Sequence, residues 1–276
     1  MARLRYVKNL SAAAQAGGGV GSASAKTIVR TFRAIYETEP EIAAAVLPQP
    51  LKLGAEPLVF MQFAHVIMEL SETHKIDIGA VTVGVAAEHE GTKGWYVLAM
   101  PMEGEFVVIS GREIFGEPKK LAKVDFDVKG DKIHVAVQRN GIKFIEMDGT
   151  IGAETGPKDF TEHFFCYKAM PAITRKGGFD GDCFLTQLDW ERKYHKTAKI
   201  SGDIKLHESP YDPIVDVPVK RIVEMQYCEG GSVTSGKILR QVPGEWLEPF
   251  WHQRYDEPTV QGIEVPLAGD KKVANA

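Results

Sequence analysis

Residues 123–152, KVDFDVKGDKIHVAVQRNGIKFIEMDGTIG, leave few choices of fold. Apolar and polar residues alternate with a period of two, the repeat of a strand with one buried face. The alternation breaks at Lys129-Gly130-Asp131 and again at Arg139-Asn140-Gly141. Asn-Gly between alternating runs is the strongest short hairpin signal, because both turn residues must take positive φ. An up-and-down antiparallel ribbon is therefore expected here. Residues 80–102 repeat the pattern around Glu90-Gly91, with Trp95, Val97 and Ala99 alternating on the return strand. The run TIVRTFRAIYE predicts a strand with Ile28, Arg30, Phe32, Ala34 and Tyr36 on one face. Residues 57–70 are apolar, β-branched and aromatic, and read as a strand, as do 160–173 and 182–208. PEIAAAVLP opens with proline at a first helical position and predicts a short helix closed by Pro48; residues 218–227, PVKRIVEMQY, carry Val219, Ile222, Val223 and Met225 at helical spacing and are expected to be helical. The segment with Trp246, Pro249, Phe250 and Trp251 is expected to wrap the body or a neighbouring subunit. Many short strands with glycine turns and few helices predict an α+β chain, predominantly antiparallel and barrel-like.

With 276 residues, 44% apolar and 25% charged, the chain can bury one large core or two small ones. Its net charge of −4 and the lack of a basic run argue against nucleic acid as a partner. Cys166, Cys183 and Cys228 are odd in number and widely spaced, so reduced buried thiols are expected rather than disulfides or zinc. No metal box is found, and His65 in an apolar run reads as a hydrogen-bonded core residue. The first residues lack the continuous apolar core of a signal peptide, and no run of ~18 apolar residues occurs, so a cytoplasmic protein without membrane contact is expected. Residues 11–25 are rich in Gly, Ala and Ser; a flexible arm over 1–25 followed by one domain over 26–276 is the simplest division. GSASAKT is not a phosphate loop, because Ala25 stands where glycine is required. No G-x-S-x-G supports a serine hydrolase.

The chemistry is concentrated in GREIFGEPKKLAKVDF, residues 111–126. It follows the apolar run EFVVIS, 105–110, which reads as a buried strand. Pro118 makes the backbone delivering Lys119 and Lys120 stiff and extended. Adjacent lysines are ordinarily a solvated turn. A lysine ammonium, with a reference pKa of ~10.4, becomes a nucleophile at neutral pH only if that value falls to about 7–8. An apolar pocket or a second ammonium can lower it; Ile114, Phe115 and Leu121 offer the first and Lys120 the second.

GRE at 111–113 followed by PKKL at 118–121 resembles the acetoacetate decarboxylase family, and KGWY at 93–96, P-x-P-L at 48–51 and D-x-P-V-K at 216–220 extend the resemblance from about residue 28 to residue 222. It implies that Lys119 forms a Schiff base with a small keto acid while Lys120 keeps its amine free, inside an apolar cavity that Trp95, Met100 and Phe115 help to shape. The iminium withdraws electrons from the adjoining C–C bond, so loss of CO2 leaves an enamine and no organic cofactor is needed. A homo-oligomer is the family habit.

The chain departs from the family pattern at the acids and the arginine. Ungapped alignment places the arginine that would hold the substrate carboxylate at Val29, with Arg30 beside it as the candidate. One family glutamate falls at Gln62 and another at Ala80, for which Glu69 and Glu72 are alternative candidate substitutes, neither of them assigned by the sequence. The position before PKK, commonly aromatic, is Glu117, the candidate general acid or base. The resemblance therefore implies β-keto acid decarboxylation first, aldol or dehydration chemistry through the same lysine second, and a non-catalytic ligand-binding relative third.

Overall fold

The computed structural model describes residues 4, 6, 7, 9–11, 26–71, 74–174, 177–181 and 183–268. The arm expected over 1–25 falls almost wholly outside them. The order is β1 (Lys26–Glu37), α1 (Pro40–Ala45), β2 (Lys52–Leu53), β3 (Leu58–Ser71), β4 (His74–His89), β5 (Thr92–Met102), α2 (Glu105–Phe115), β6 (Lys119–Leu121), β7 (Lys123–Lys129), β8 (Lys132–Arg139), β9 (Ile142–Glu154), β10 (Lys158–Lys168), β11 (Cys183–Leu206), β12 (Arg221–Val242) and α3 (Trp251–Arg254).

The described strands form one 12-stranded sheet, ten of them in the order β10-β5-β4-β3-β1-β12-β11-β9-β8-β7, with β2 paired to β4 and β6 to β5 off that path. Because β10 also pairs with β11, the path from β10 round to β11 closes into a ring. Closure removes free edges and gives those strands an inside. The long β11 runs past the ring and carries β9, β8 and β7 as a side lobe. The hairpin turns read from sequence are in place: Glu90 and Gly91 have φ of 48° and 82°, and Asn140 and Gly141 have 51° and 80°.

The lobe covers the outer face of β1, β3 and β4, where Phe32, Tyr36, Met61, Phe63 and Val81 pack against Val135, Val137, Phe144 and Met147. Each such side chain contributes about 1.5–3 kcal/mol relative to exposure. The inner face holds two further clusters. Phe60, Val97, Met100, Phe164, Cys166 and Leu188 form one, and Val29, Ala64, Ile78, Ala80 and Met102 pack against Val108 of α2 in the other. Cys166, Cys183 and Cys228 are buried, and no disulfide joins them.

Two element assignments differ from the sequence expectation. Residues 105–110 are not a strand but the first half of α2, which starts after Gly104 and ends at Gly116 with φ 79°. A short apolar run fits a strand and a buried helix equally; the glycine stop that decides it lies six residues beyond the run. Residues 221–227 are the start of β12 rather than a helix. Met225 and Tyr227 are buried and Val223 is exposed, so the positions that looked helical are a strand joined to a non-regular Val219. The C-terminal segment wraps its own chain: Gln253 accepts from Tyr96 Oη at 2.5 Å, and Arg254 donates to the carbonyls of Gly116 and Tyr167 at 2.6 and 2.7 Å. No helix among the described residues is long and apolar enough to cross a membrane.

Candidate active site

β6 has three residues and lies parallel to β5, with Lys119 beside Met100 and Lys120 beside Pro101. Successive side chains of a strand point to opposite faces, so the two lysines part. Lys119 turns into the barrel, where its side chain is 13% exposed. Its Nζ donates to the Val107 carbonyl at 3.3 Å and lies 2.7 Å from Glu117 Oε2. Glu117 is itself buried. Its Oε2 is within ion-pair range of the amine but is not aligned to accept a hydrogen bond from any described residue.

Lys120 turns outward, donating to the carbonyls of Tyr211 and His252 at 3.1 Å each. It lies 3.5 Å from Asp212 Oδ1 and 3.2 Å from Asp256 Oδ1, and Arg139 engages the same two carboxylates. Burial raises the Asp212 carboxyl, against the pull of Lys120 and Arg139. Lys120 is thus half of a charge-matched cluster on the far side of the strand. This corrects the expectation of a second ammonium alongside Lys119. Of the three apolar side chains expected around the amine, Ile114 and Leu121 are exposed and Phe115 alone packs inward.

Gly111 of GRE has a specific function in this geometry. A Cβ there would overlap both Lys119 Nζ and Glu117 Oε2. The helix can lie against the amine only because that turn has no side chain.

The other candidates fall into a cross-strand row. Register sets Arg33 opposite Gln62 and Gln62 opposite Thr82. The pairs Ala80–Met102 and Val83–Ala99 carry the register on, so that Thr82 faces Met100, which adjoins Lys119. Side chains in such a row share one face, here the inner one. Trp95 stacks on Phe60 at 5.4 Å and Phe115 joins the same cluster. Gln62, Met100, Trp95, Phe115 and Lys119 therefore line the interior together. Cys166 is close to the pair: burial pushes its thiol up, with Glu117 adding to that and Arg254 and Lys119 opposing it.

Arg30 does not belong to the row. It is exposed, on the face opposite Arg33. Arg33 is the inward arginine, and sequence reasoning passed over it. It lies 4.9 Å from the Phe60 ring centroid and 5.2 Å from that of Phe160, and donates to Glu162 and to Tyr194 Oη. Glu162 also accepts from Arg192 Nε at 3.0 Å. Burial would raise the Glu162 carboxyl, but the hydrogen bond and charge of Arg33, followed by Arg192, bring it below the ordinary range. A signal was present: Val29, Thr31, Arg33 and Ile35 are the second face of the same alternating strand. Among the acids expected as substitutes, Glu69 bonds Lys75 at 2.8 Å, and Glu72 lies outside the described residues. His65 is half-buried rather than core, its Nε2 2.5 Å from Asp77 Oδ1.

The interior thus combines an apolar wall, an amine, a carboxylate and buried polar atoms without hydrogen-bond partners among the described residues, including Gln62 Oε1, Trp190 Nε1 and Arg192 Nη2. Such a set suits a small polar molecule held against a nucleophile.

The acetoacetate decarboxylase from Burkholderia vietnamiensis is 29% identical over 209 residues, covering 70% of this chain and 78% of that protein. The crystal structure of acetoacetate decarboxylase from Legionella pneumophila superposes with a TM-score of 0.66 at 22% identity, over 79% of this chain and 88% of that one. The enduracididine biosynthesis enzyme MppR, complexed with pyruvate, gives a TM-score of 0.65 at 15% identity, over 79% and 91%. At those identities the structures speak for the fold alone. The family model for acetoacetate decarboxylase (ADC) matches residues 19–242, most of the chain. By that match the chain belongs to the acetoacetate decarboxylase family.

Proposed function

We propose that this protein is a lyase that acts on a small keto acid through a Schiff base at Lys119, with decarboxylation as its reaction. The observation that carries the reading is the Lys119 amine, held inside the barrel by the Val107 carbonyl, beside Met100 and 2.7 Å from a buried carboxylate. The amine attacks the ketone carbon, a C–N bond forms, and after proton transfer water departs. The carboxylate is then lost as CO2 and its bonding pair moves into the iminium, giving an enamine. Protonation at carbon and hydrolysis return the amine and release a ketone. Arg33 is the cation of the inner face suited to the substrate carboxylate, once it is drawn from Glu162.

Aldol or dehydration chemistry is the second reading, and Glu117 favours it. A carboxylate beside the iminium repels a second carboxylate but can move protons at carbon or oxygen. The relative MppR has a structure with a condensation product of pyruvate and imidazole 4-carboxaldehyde, so the fold accommodates a product of that kind.

The test is incubation with acetoacetate or pyruvate plus borohydride, followed by intact mass, peptide mapping and CO2 detection. A reduced adduct on Lys119 with CO2 released from acetoacetate is expected. An adduct without CO2 points to the aldol reading; a label on Lys120, or no adduct with any keto acid, overturns the proposal.

A further inference from the structure

Behind the reactive segment, on the side away from the barrel interior, lies a second cavity of about 150 Å³. Its polar lining is Arg112, Arg254 and Lys168, with Glu113 as the one carboxylate. The two guanidiniums sit close enough to repel: burial lowers the Arg112 pKa and the charge of Arg254 lowers it further, against smaller opposing pulls from Tyr255 and Glu113. Neither they nor Lys168 has an aspartate or glutamate within ion-pair distance among the described residues. Arg112 Nη1 donates to the carbonyls of Lys119 and Arg254, and Arg254 Nη1 to those of Gly116 and Tyr167. Carbonyls satisfy donors but do not neutralise charge. Arg254 is 9% exposed, and its Nε is buried with no partner among the described residues. Elsewhere in this protein buried arginines are matched by acids: Arg33 and Arg192 by Glu162, and Arg139 by Asp212 and Asp256. Arg254 is the exception among the described residues, and the half-buried Arg112 beside it shares the lack.

Buried cations left without a counter-charge are costly, and planar guanidinium forks fit the oxygens of phosphate and carboxylate. We infer that this cavity is a binding site for a small oxyanion, a phosphate or carboxylate group, held between Arg112 and Arg254 with Lys168 at its rim. The size of the cavity suits such a group, and Tyr255, whose ring centroid is 5.2 Å from Arg112 Cζ, closes one side. The inference is independent of the proposed reaction. It has a consequence for it, because Arg112 holds the carbonyl of Lys119 and so ties the occupied site to the backbone that carries the amine.

Calorimetric titration of the full chain at low ionic strength with inorganic phosphate, and separately with acetate, tests the inference; the tighter of the two identifies the oxyanion. Saturable binding at one site is expected. Lys168→Glu, an exposed position that leaves the fold intact, should weaken it by at least about tenfold, and Lys168→Gln by less. Lys119→Met should leave it unchanged. Failure of both anions to saturate, equal affinity in Lys168→Glu, or loss of binding in Lys119→Met would each overturn the assignment, the last by moving the anion into the barrel.

Discussion

Glu117 precedes the Pro-Lys-Lys run and lies against the Lys119 amine. Its burial removes the reading of a solvated loop carboxylate. Two roles remain for a carboxylate 2.7 Å from an amine. It can orient Lys119 as a fixed counter-ion, or it can carry protons during formation and use of the iminium. Glu117→Gln separates them, because glutamine keeps the shape and loses the proton. We expect borohydride trapping on Lys119 to survive while turnover falls by ~10²–10⁴-fold. Turnover within a fewfold of the parent would reduce Glu117 to a structural partner. At this scale the sequence was informative where side chains are fixed by motif: Lys119, Glu117, Gln62, Met100, Trp95 and Phe115 all come together on the inner face. It failed for Arg30, because the inward parity of β1 depends on which face meets the barrel interior. Both faces of that strand carry apolar residues and an arginine, one under the side lobe and one inside, so alternation alone does not distinguish them.

The elements show the same division between local and non-local information. Hairpins at Glu90-Gly91 and Asn140-Gly141 were legible because turn chemistry is written in two residues. The assignment of α2 was not, since a helix and a buried strand present the same short apolar run until packing selects one. That helix brings Gly111 against the amine, which leads to a prediction opposite in sign to helix propensity. Alanine is favoured over glycine in a helix interior by roughly 1 kcal/mol. Here the added methyl overlaps Lys119 Nζ and Glu117 Oε2, so the helix or the lysine must shift. Gly111→Ala is expected to retain its far-ultraviolet circular dichroism yet slow adduct formation by at least about tenfold, the scale of loss from small misplacement of a reacting group. An unchanged trapping rate with a raised melting temperature would show that propensity wins and that the close approach is dispensable.

At the scale of the whole molecule, barrel closure is a long-range property that no segment reveals. It requires β10 to meet the next strand, β11, on one side and the distant β5 on the other, where Phe164 pairs with Trp95. The parallel contact with β5 is short, two residue pairs, and Gly94 permits it by leaving room for the His163 carbonyl. Glu162 supplements that contact, since one carboxylate on β10 engages Arg33 on β1 and Arg192 on β11. Burial opposes its ionisation but the two arginines prevail, so the folded carboxyl lies below the ordinary value of 4.5. A carboxylate depressed on folding contributes stability that is complete above the unfolded value and is lost as pH falls through the folded one. Glu162→Gln leaves two buried guanidiniums without a counter-charge, a change expected to cost about 3–5 kcal/mol at neutral pH. The difference in melting temperature between the parent and Glu162→Gln should therefore be large at pH 7 and begin to shrink below about pH 4.5, as protonation of Glu162 makes the parent resemble the variant. Thermal unfolding of both proteins from pH 7 to pH 3 measures this directly. A gap that stays constant across that range would mean that the carboxylate keeps its proton off throughout or contributes only shape, and that closure rests on the apolar contacts of Phe60, Trp95 and Phe164.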